Sequence, residues 1–145
     1  MTTISLEPLR PYPVAELLGF LPLPIVASRV AAGFPSPAED WLDEKLDLNQ
    51  LLIQRPSATF FVRVEGDSML GAGIHPGDLL VVDRGLKATD GRVILAVING
   101  EFTVKRLRLN PARLVAENRA FPDLLITEEQ SFEVWGVVTN VIHAL

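Results

Sequence analysis

The chain has 145 residues, of which 48% are hydrophobic and 21% are charged, a composition typical of one globular domain that buries a core. It contains no cysteine, which excludes a disulfide framework, a thiolate nucleophile and a cysteine-ligated zinc site. The formal net charge is -5, which argues against strong direct binding to nucleic acid, because neutralisation of phosphates supplies most of that affinity.

The first 37 residues differ in composition from the rest. They hold seven of the eleven prolines, which lack a backbone donor and disfavour helix in the preceding residue. We therefore predict that residues 1–37 form an extended arm that packs apolar side chains such as Leu17 and Phe20. Residues 38–145 are predicted to form the folded domain.

The arm also contains a pattern that resembles a secretory signal. An apolar run at 17–27 is followed by small residues at 30–32. Two prolines interrupt the run, Glu16 lies at its edge, and Arg29 lies just before the small residues, so these residues argue against a secretory signal. No apolar run approaches the ~20 residues that span a bilayer, and we expect a cytoplasmic protein without membrane contact.

Residues 38–52 predict a short helix, because Trp41, Leu42 and Leu46 form part of an i, i+3, i+4 stripe. From residue 58 onward the sequence is typical of short strands. Residues 59–65 alternate in polarity, and apolar runs bounded by turns follow at 78–83, 92–98, 101–109, 113–117 and 132–142.

Asn99-Gly100 is the strongest turn signal, since both residues accept positive φ and join two of these strands as a hairpin. Frequent turns between short strands predict a mostly all-β protein. We expect a small, strongly bent β-sheet or barrel-like domain with an extended N-terminal arm.

The residues offer few nucleophile–base pairs. The two histidines, His75 and His143, are too few for a metal cluster, and we expect neither a metal nor a cofactor. A serine nucleophile would then need a different base, and a desolvated lysine is the known alternative.

The segment 65–69 follows the first predicted strand and contains Gly66, Asp67 and Ser68. A glycine beside a short polar residue lets the backbone turn sharply and expose Ser68. N–H groups freed near Asp67 and Ser68 could hold an oxyanion. Gly-Asp-Ser is also an ordinary turn sequence, so this segment alone does not establish a catalytic site.

Lys105 is the candidate base. On a strand it shares its face with Thr103 and Leu107, while the neighbouring Arg106 and Arg108 lie opposite. Burial on an apolar face would lower the pKa of the lysine and favour a neutral amine. The alternative is an edge lysine whose stem covers apolar surface and whose amine reaches water.

Several segments together resemble the LexA/UmuD-like self-cleaving serine peptidases, in the same order and with matching spacing. Residues 33–38 and 47–54 match the linker of that family, and Gly66-Asp67-Ser68-Met69 matches its nucleophile segment. The remaining matches are residues 77–83, the hairpin residues 100–105 that end in Lys105, and residues 132–138.

The resemblance implies a LexA-type peptidase domain in which Ser68 is the nucleophile and Lys105 the general base. The bond cut would be Ala32-Gly33, with backbone N–H groups near Asp67 and Ser68 around the oxyanion. The family also implies a homodimer, cleavage stimulated by a RecA–DNA filament in the SOS response, and a shortened product that joins a UmuC-type Y-family polymerase for error-prone translesion synthesis.

Two other functions compete with this one. A LexA-like repressor needs a DNA-binding helix-turn-helix, which some 32 proline-interrupted residues cannot supply. A non-catalytic polymerase-binding module with a vestigial dyad stays open, because a motif does not prove activity.

Overall fold

The computed structural model describes residues 12–13, 22–26, 32–34 and 42–145. Its strands are β1 Tyr12–Pro13, β2 Pro22–Val26, β3 Leu42–Asp47, β4 Thr59–Arg63, β5 Leu79–Asp83, β6 Val93–Ile98, β7 Glu101–Arg108, β8 Arg113–Val115, β9 Leu124–Leu125 and β10 Phe132–Ile142. Its helical segments are α1 Leu48–Leu52 and the 3-10 helices Pro56–Ala58 and Leu70–Ala72.

The strands form an antiparallel sheet in the order β1-β4-β5-β10-β6-β7-β8-β9, and β2 pairs with β3 in a second, two-stranded sheet. Among the described strands, β1 and β9 each have a neighbour on one side alone, so the large sheet is open. The prediction of a mostly β fold is confirmed, with a bent open sheet in place of a closed barrel.

Strand β10 bends the sheet at its centre. Its register shifts between Val134 and Gly136, where it pairs with β6, and between Val138 and Asn140, where it pairs with β5. A Cβ added at Gly136 would lie 2.6 Å from Val82 Cγ1, so only glycine allows this close approach. Bulges of this kind increase local twist and bend a sheet.

Both faces of the large sheet are covered. In β6, Ile94, Leu95 and Ala96 are all fully buried, although neighbouring side chains on a strand point to opposite faces. Leu95 packs with residues of β4 and β5 such as Val62 and Leu80, whereas Ile94 and Ala96 pack on the other side. The sheet therefore lies within the core.

Local patterns predicted most of this sheet. The Asn99-Gly100 turn has φ of 50° and 82° and joins β6 to β7 as expected. Strands β4, β5, β6, β7, β8 and β10 lie within the predicted apolar runs. The two-residue strand β9, which pairs with β8, was not predicted.

The prediction of a helix over residues 38–52 is wrong in its middle part. Leu42–Asp47 is a strand that pairs with β2, and the helix begins only at Leu48, where Asp47 accepts a hydrogen bond from the N–H of Asn49 at 2.9 Å. Pairing with a distant strand overrode the helical stripe. Residues 38–41 lie outside the described residues.

The described pieces of the proline-rich arm, β1 and β2, are extended. The division of the chain at residue 37 stays a prediction, because residues 35–41 lie outside the described residues. Within the described ranges, no helix is long and apolar enough to cross a bilayer.

Candidate active site

Ser68 lies in a tight loop that follows β4. Gly66 has φ of +80°, a left-handed conformation that lets the chain reverse direction before Ser68. Met69 is 2% exposed and belongs to the core, so the residue after Ser68 is held in place by packing. Ser68 itself is half-buried at the loop surface.

A second segment, the residues after β8, fixes this loop from outside. Asn118 donates its side-chain N–H to the carbonyl of Asp67 at 2.9 Å, and Gly71 donates its N–H to the carbonyl of Glu117 at 2.8 Å. A Cβ at Gly71 would lie 2.7 Å from that carbonyl oxygen, so glycine is needed there. Sequence reasoning missed these supports, since no local pattern links residues so far apart.

Lys105 reaches Ser68 from β7, in the other half of the large sheet. Its Nζ lies 3.0 Å from Ser68 Oγ, 3.0 Å from Thr103 Oγ1 and 3.2 Å from the carbonyl oxygen of Val104. Thr103 is two residues before Lys105, so alternation along the strand places both side chains on one face. The predicted face is thus observed, and Thr103 becomes a hydrogen-bond partner of the amine.

The surroundings of Lys105 disfavour its charge. Burial lowers the pKa of the Lys105 ammonium below its ordinary value. Within the described part of the chain, Lys105 makes no ion pair, so no carboxylate counteracts this effect. A neutral amine has two hydrogens for Thr103 Oγ1 and the Val104 carbonyl, and a lone pair that can accept the Ser68 proton.

The two side chains meet in a small cleft of about 50 Å³. Its lining comes from two short segments and consists of Val64, Glu65, Gly66, Ser68, Met69, Thr103, Val104 and Lys105. Among the described residues, no protein group accepts a hydrogen bond from the N–H of Asp67 or of Ser68. Both N–H groups are thus available to a bound oxygen.

The residues predicted at the cleavage site lie elsewhere. Ala32, Gly33 and Phe34 form an exposed bend, and the Phe34 side chain is 90% exposed. A Cβ added at Gly33 would meet no atom within 4 Å. The structure brings Ser68 and Lys105 together but does not place the Ala32-Gly33 bond in their cleft.

The arginines of β7 and β8 are paired with acidic residues. The Arg106 side chain bonds to the Glu117 carboxylate, Arg108 lies 3.6 Å from Asp90, and Arg113 lies 3.8 Å from Asp123. This arrangement fits the interpretation of a solvated face better than a surface for phosphates.

The two histidines also come together, which sequence reasoning did not foresee. His75 and His143 stack with their ring centroids 4.7 Å apart, and both lie against the buried carboxylate of Asp78. Two histidines counted alone are too few for a metal cluster, but that count omitted a carboxylate as a third ligand.

Comparisons with known proteins identify the family of this chain. The model of the Peptidase S24-like family matches residues 24–139. SamA of Salmonella typhimurium is 52% identical over 121 residues, which are 83% of this chain and 84% of SamA. MucA of Escherichia coli is 47% identical over 120 residues, which are 81% of this chain and 82% of MucA.

A more distant relative, LexA repressor 1 of Xanthomonas axonopodis pv. citri, is 37% identical over 126 residues, which are 85% of this chain and 61% of the repressor. The matched range, residues 24–139, spans the positions of Ser68 and Lys105. The chain therefore belongs to the Peptidase S24-like family, a family of serine peptidases, as its resemblance to the LexA/UmuD-like proteins predicted.

Proposed function

We propose that this protein is a serine endopeptidase that cuts its own Ala32-Gly33 bond, with Ser68 as nucleophile and Lys105 as general base. The observation that carries this proposal is the 3.0 Å distance between Lys105 Nζ and Ser68 Oγ in a site that lowers the pKa of the lysine. Membership of the Peptidase S24-like family supports the same reaction type.

In the first half of the reaction, neutral Lys105 takes the hydroxyl proton of Ser68. Ser68 Oγ attacks the carbonyl carbon of Ala32, and the oxygen becomes an oxyanion that the N–H groups of Asp67 and Ser68 stabilise. Collapse breaks the bond to the Gly33 nitrogen, which receives the proton from Lys105. The products are an ester between Ser68 and Ala32 and a free amino group on Gly33.

In the second half, a water molecule gives its proton to Lys105 and attacks the ester. The ester breaks, the Ser68 oxygen takes back a proton, and residues 1–32 leave with a terminal carboxylate. No metal or cofactor enters either half of this reaction. Because the scissile bond belongs to the protein itself, its effective concentration is high and a modest site suffices.

Docking of the arm is the step that would control cleavage. Ala32–Phe34 form an exposed bend, so the bond must move into the cleft beside Ser68 before it can react. Ala32 and Gly33 carry almost no side chain, which suits a cleft of about 50 Å³. Anything that favours the docked arm would raise the rate of cleavage.

The family resemblance extends this proposal to partners. We assign the protein to the SOS response in the cytoplasm, as a homodimer whose cleavage a RecA–DNA filament stimulates by favouring the docked arm. The shortened chain then serves as a subunit of a UmuC-type Y-family polymerase in error-prone translesion synthesis.

The test follows the intact mass of the purified protein at a series of pH values from neutral to strongly alkaline, with and without activated RecA filaments. We expect a fragment that begins at Gly33 and that forms faster as the pH rises. Ser68→Ala should abolish it, and Lys105→Ala should slow its formation by about 10²–10⁴-fold. Ser57→Ala and Lys87→Ala change exposed residues of the same types and should leave it unchanged.

A wild-type chain that stays intact under all these conditions would overturn the proposal. In that case the protein would be a polymerase-binding module with a vestigial dyad. A fragment that also forms in Ser68→Ala would point to a contaminating protease.

A further inference from the structure

The second polar cluster of the molecule lies away from the cleft and joins two distant parts of the chain. His75 and Asp78 form the turn that precedes β5, and His143 follows the last residue of β10. Ile142 of β10 pairs with Leu79 of β5, so their chain neighbours His143 and Asp78 lie next to each other.

Asp78 is the fixed member of this cluster. It is 4% exposed, and its Oδ2 accepts the backbone N–H of His75 at 2.8 Å. Its Oδ1 lies 2.6 Å from His143 Nδ1. Burial alone would raise the pKa of this carboxyl, but the hydrogen bonds and the histidines outweigh burial and hold the pKa below its ordinary value. Asp78 is therefore a carboxylate at neutral pH.

The two histidines are the more exposed members. Their side chains are 48% and 42% exposed, and the Nδ1 of His75 lies 3.7 Å from Asp78 Oδ2. One ligand atom from each of the three residues can be chosen so that all lie within 4.8 Å of one another. Zinc–ligand bonds of about 2.0–2.1 Å hold ligand atoms roughly 3.3 Å apart, so rotation of the two exposed rings closes the site.

We propose that His75, Asp78 and His143 bind a divalent transition-metal ion of the zinc type at the edge of the sheet where β5 begins and β10 ends. Two imidazoles and one carboxylate suit zinc, cobalt and nickel, whereas magnesium and calcium favour sites built from oxygen ligands alone. The metal takes the place of the proton between His143 and Asp78, and the neutral imidazole then carries its proton on Nε2, while the backbone N–H of His75 keeps orienting the carboxylate.

Such an ion would link the turn at residues 75–78 to the end of β10. The same turn bonds to the cleft wall, since Val64 donates its N–H to the Asp78 carbonyl at 2.9 Å and accepts from the Gly77 N–H at 2.8 Å. A metal that binds the folded chain in preference to the unfolded chain raises the unfolding temperature.

The test is isothermal titration calorimetry of the full chain, prepared without a polyhistidine tag, with ZnCl₂ and with MgCl₂. We expect one zinc ion per chain and far weaker binding of magnesium. His143→Gln and His75→Gln should each weaken zinc binding by on the order of tenfold or more. Glu128→Gln removes an exposed carboxylate elsewhere and serves as the matched control.

Equal zinc affinity in the wild type and in both histidine variants would overturn the proposal, as would zinc binding no tighter than magnesium binding. Circular dichroism in EDTA checks that each variant is folded. If one histidine variant fails to fold, the other alone is enough to test the zinc affinity. A cluster that acts only through hydrogen bonds would lower the unfolding temperature of His143→Gln in EDTA and give no zinc-dependent rise in the wild type. Both histidines lie on the same side of the Ala32-Gly33 bond, so the result does not depend on cleavage.

Discussion

The amine of Lys105 and the carboxyl of Asp78 both have a pKa below the ordinary value, yet for opposite reasons. Lys105 is partly buried and, among the described residues, its amine has only neutral oxygens as partners, so its neutral form is favoured. Asp78 is almost completely buried, but a backbone N–H and an imidazole point at it, so its charged form is favoured.

Burial alone therefore does not decide the protonation state of a site. The neighbouring donors and acceptors decide it. Lys105 lacks a counter-ion among the described residues and becomes a candidate base. Asp78 accepts a hydrogen bond from a backbone N–H and lies beside an imidazole, and it becomes a candidate metal ligand. The following predictions test this contrast, from the largest expected effect to the smallest.

Replacing the candidate base should have the largest effect. Lys105→Ala is expected to slow self-cleavage by about 10²–10⁴-fold, because that is the usual contribution of a general base. The fraction of chain cleaved at Gly33 over time, read by intact mass, gives the rate. Lys87→Ala should cleave at the wild-type rate, and an equal loss in both variants would contradict a specific role for Lys105.

The pH dependence of cleavage should report the lowered pKa of Lys105. Below that pKa, the neutral fraction and therefore the rate rise about tenfold for each pH unit. The rate should level off below the ordinary lysine value of ~10.4, because burial lowers the pKa of Lys105. A rate that continues to rise beyond ~10.4 would show that hydroxide, and not a perturbed lysine, limits the reaction.

The carboxylate of Asp78 should matter for stability. Asp78→Asn is expected to lower the free energy of unfolding by about 1–3 kcal/mol, because it weakens hydrogen bonds within a buried site. Chemical denaturation in EDTA measures this loss. Since the folded state lowers the pKa of Asp78, its contribution is present above the unfolded value and is lost as the pH falls through the folded value. The exposed variant Asp123→Asn should change stability far less.

Thr103 should give the smallest effect. Thr103→Val keeps the shape of the side chain but removes the hydroxyl that accepts from Lys105 Nζ. The loss of one hydrogen bond should slow cleavage by roughly threefold to tenfold. The pH at which the rate levels off should move down, because the ammonium loses an acceptor. A slower rate with an unchanged pH profile would mean that Thr103 affects only packing. Thr103→Ser keeps the hydroxyl and should restore the wild-type profile.

Much of the large sheet could be predicted because its strands carry their own signals. The Asn99-Gly100 turn needs positive φ at both residues, and the alternation along β7 places Thr103 on the face of Lys105. These are local properties, fixed by backbone sterics and by the period of a strand.

The errors all concern contacts between distant segments. Leu42–Asp47 has a helical stripe but becomes a strand, because β2 supplies its hydrogen-bond partners. The stack of His75 and His143 depends on the register of Ile142 with Leu79, which no local pattern encodes. Asn118 supports the Ser68 loop through Asp67 for the same reason.

The position of β10 has a consequence for how the protein is made. Ser68 follows β4, in the half of the sheet that contains β5, and Lys105 lies in β7, in the half that begins with β6. Strand β10 lies between β5 and β6, and it is the last of these strands to leave the ribosome. A nascent chain that has not yet released β10 contains both residues but lacks the strand that aligns them. Under the proposed function, cleavage would therefore wait until synthesis of the sheet is complete, and the arm would stay attached while the chain folds.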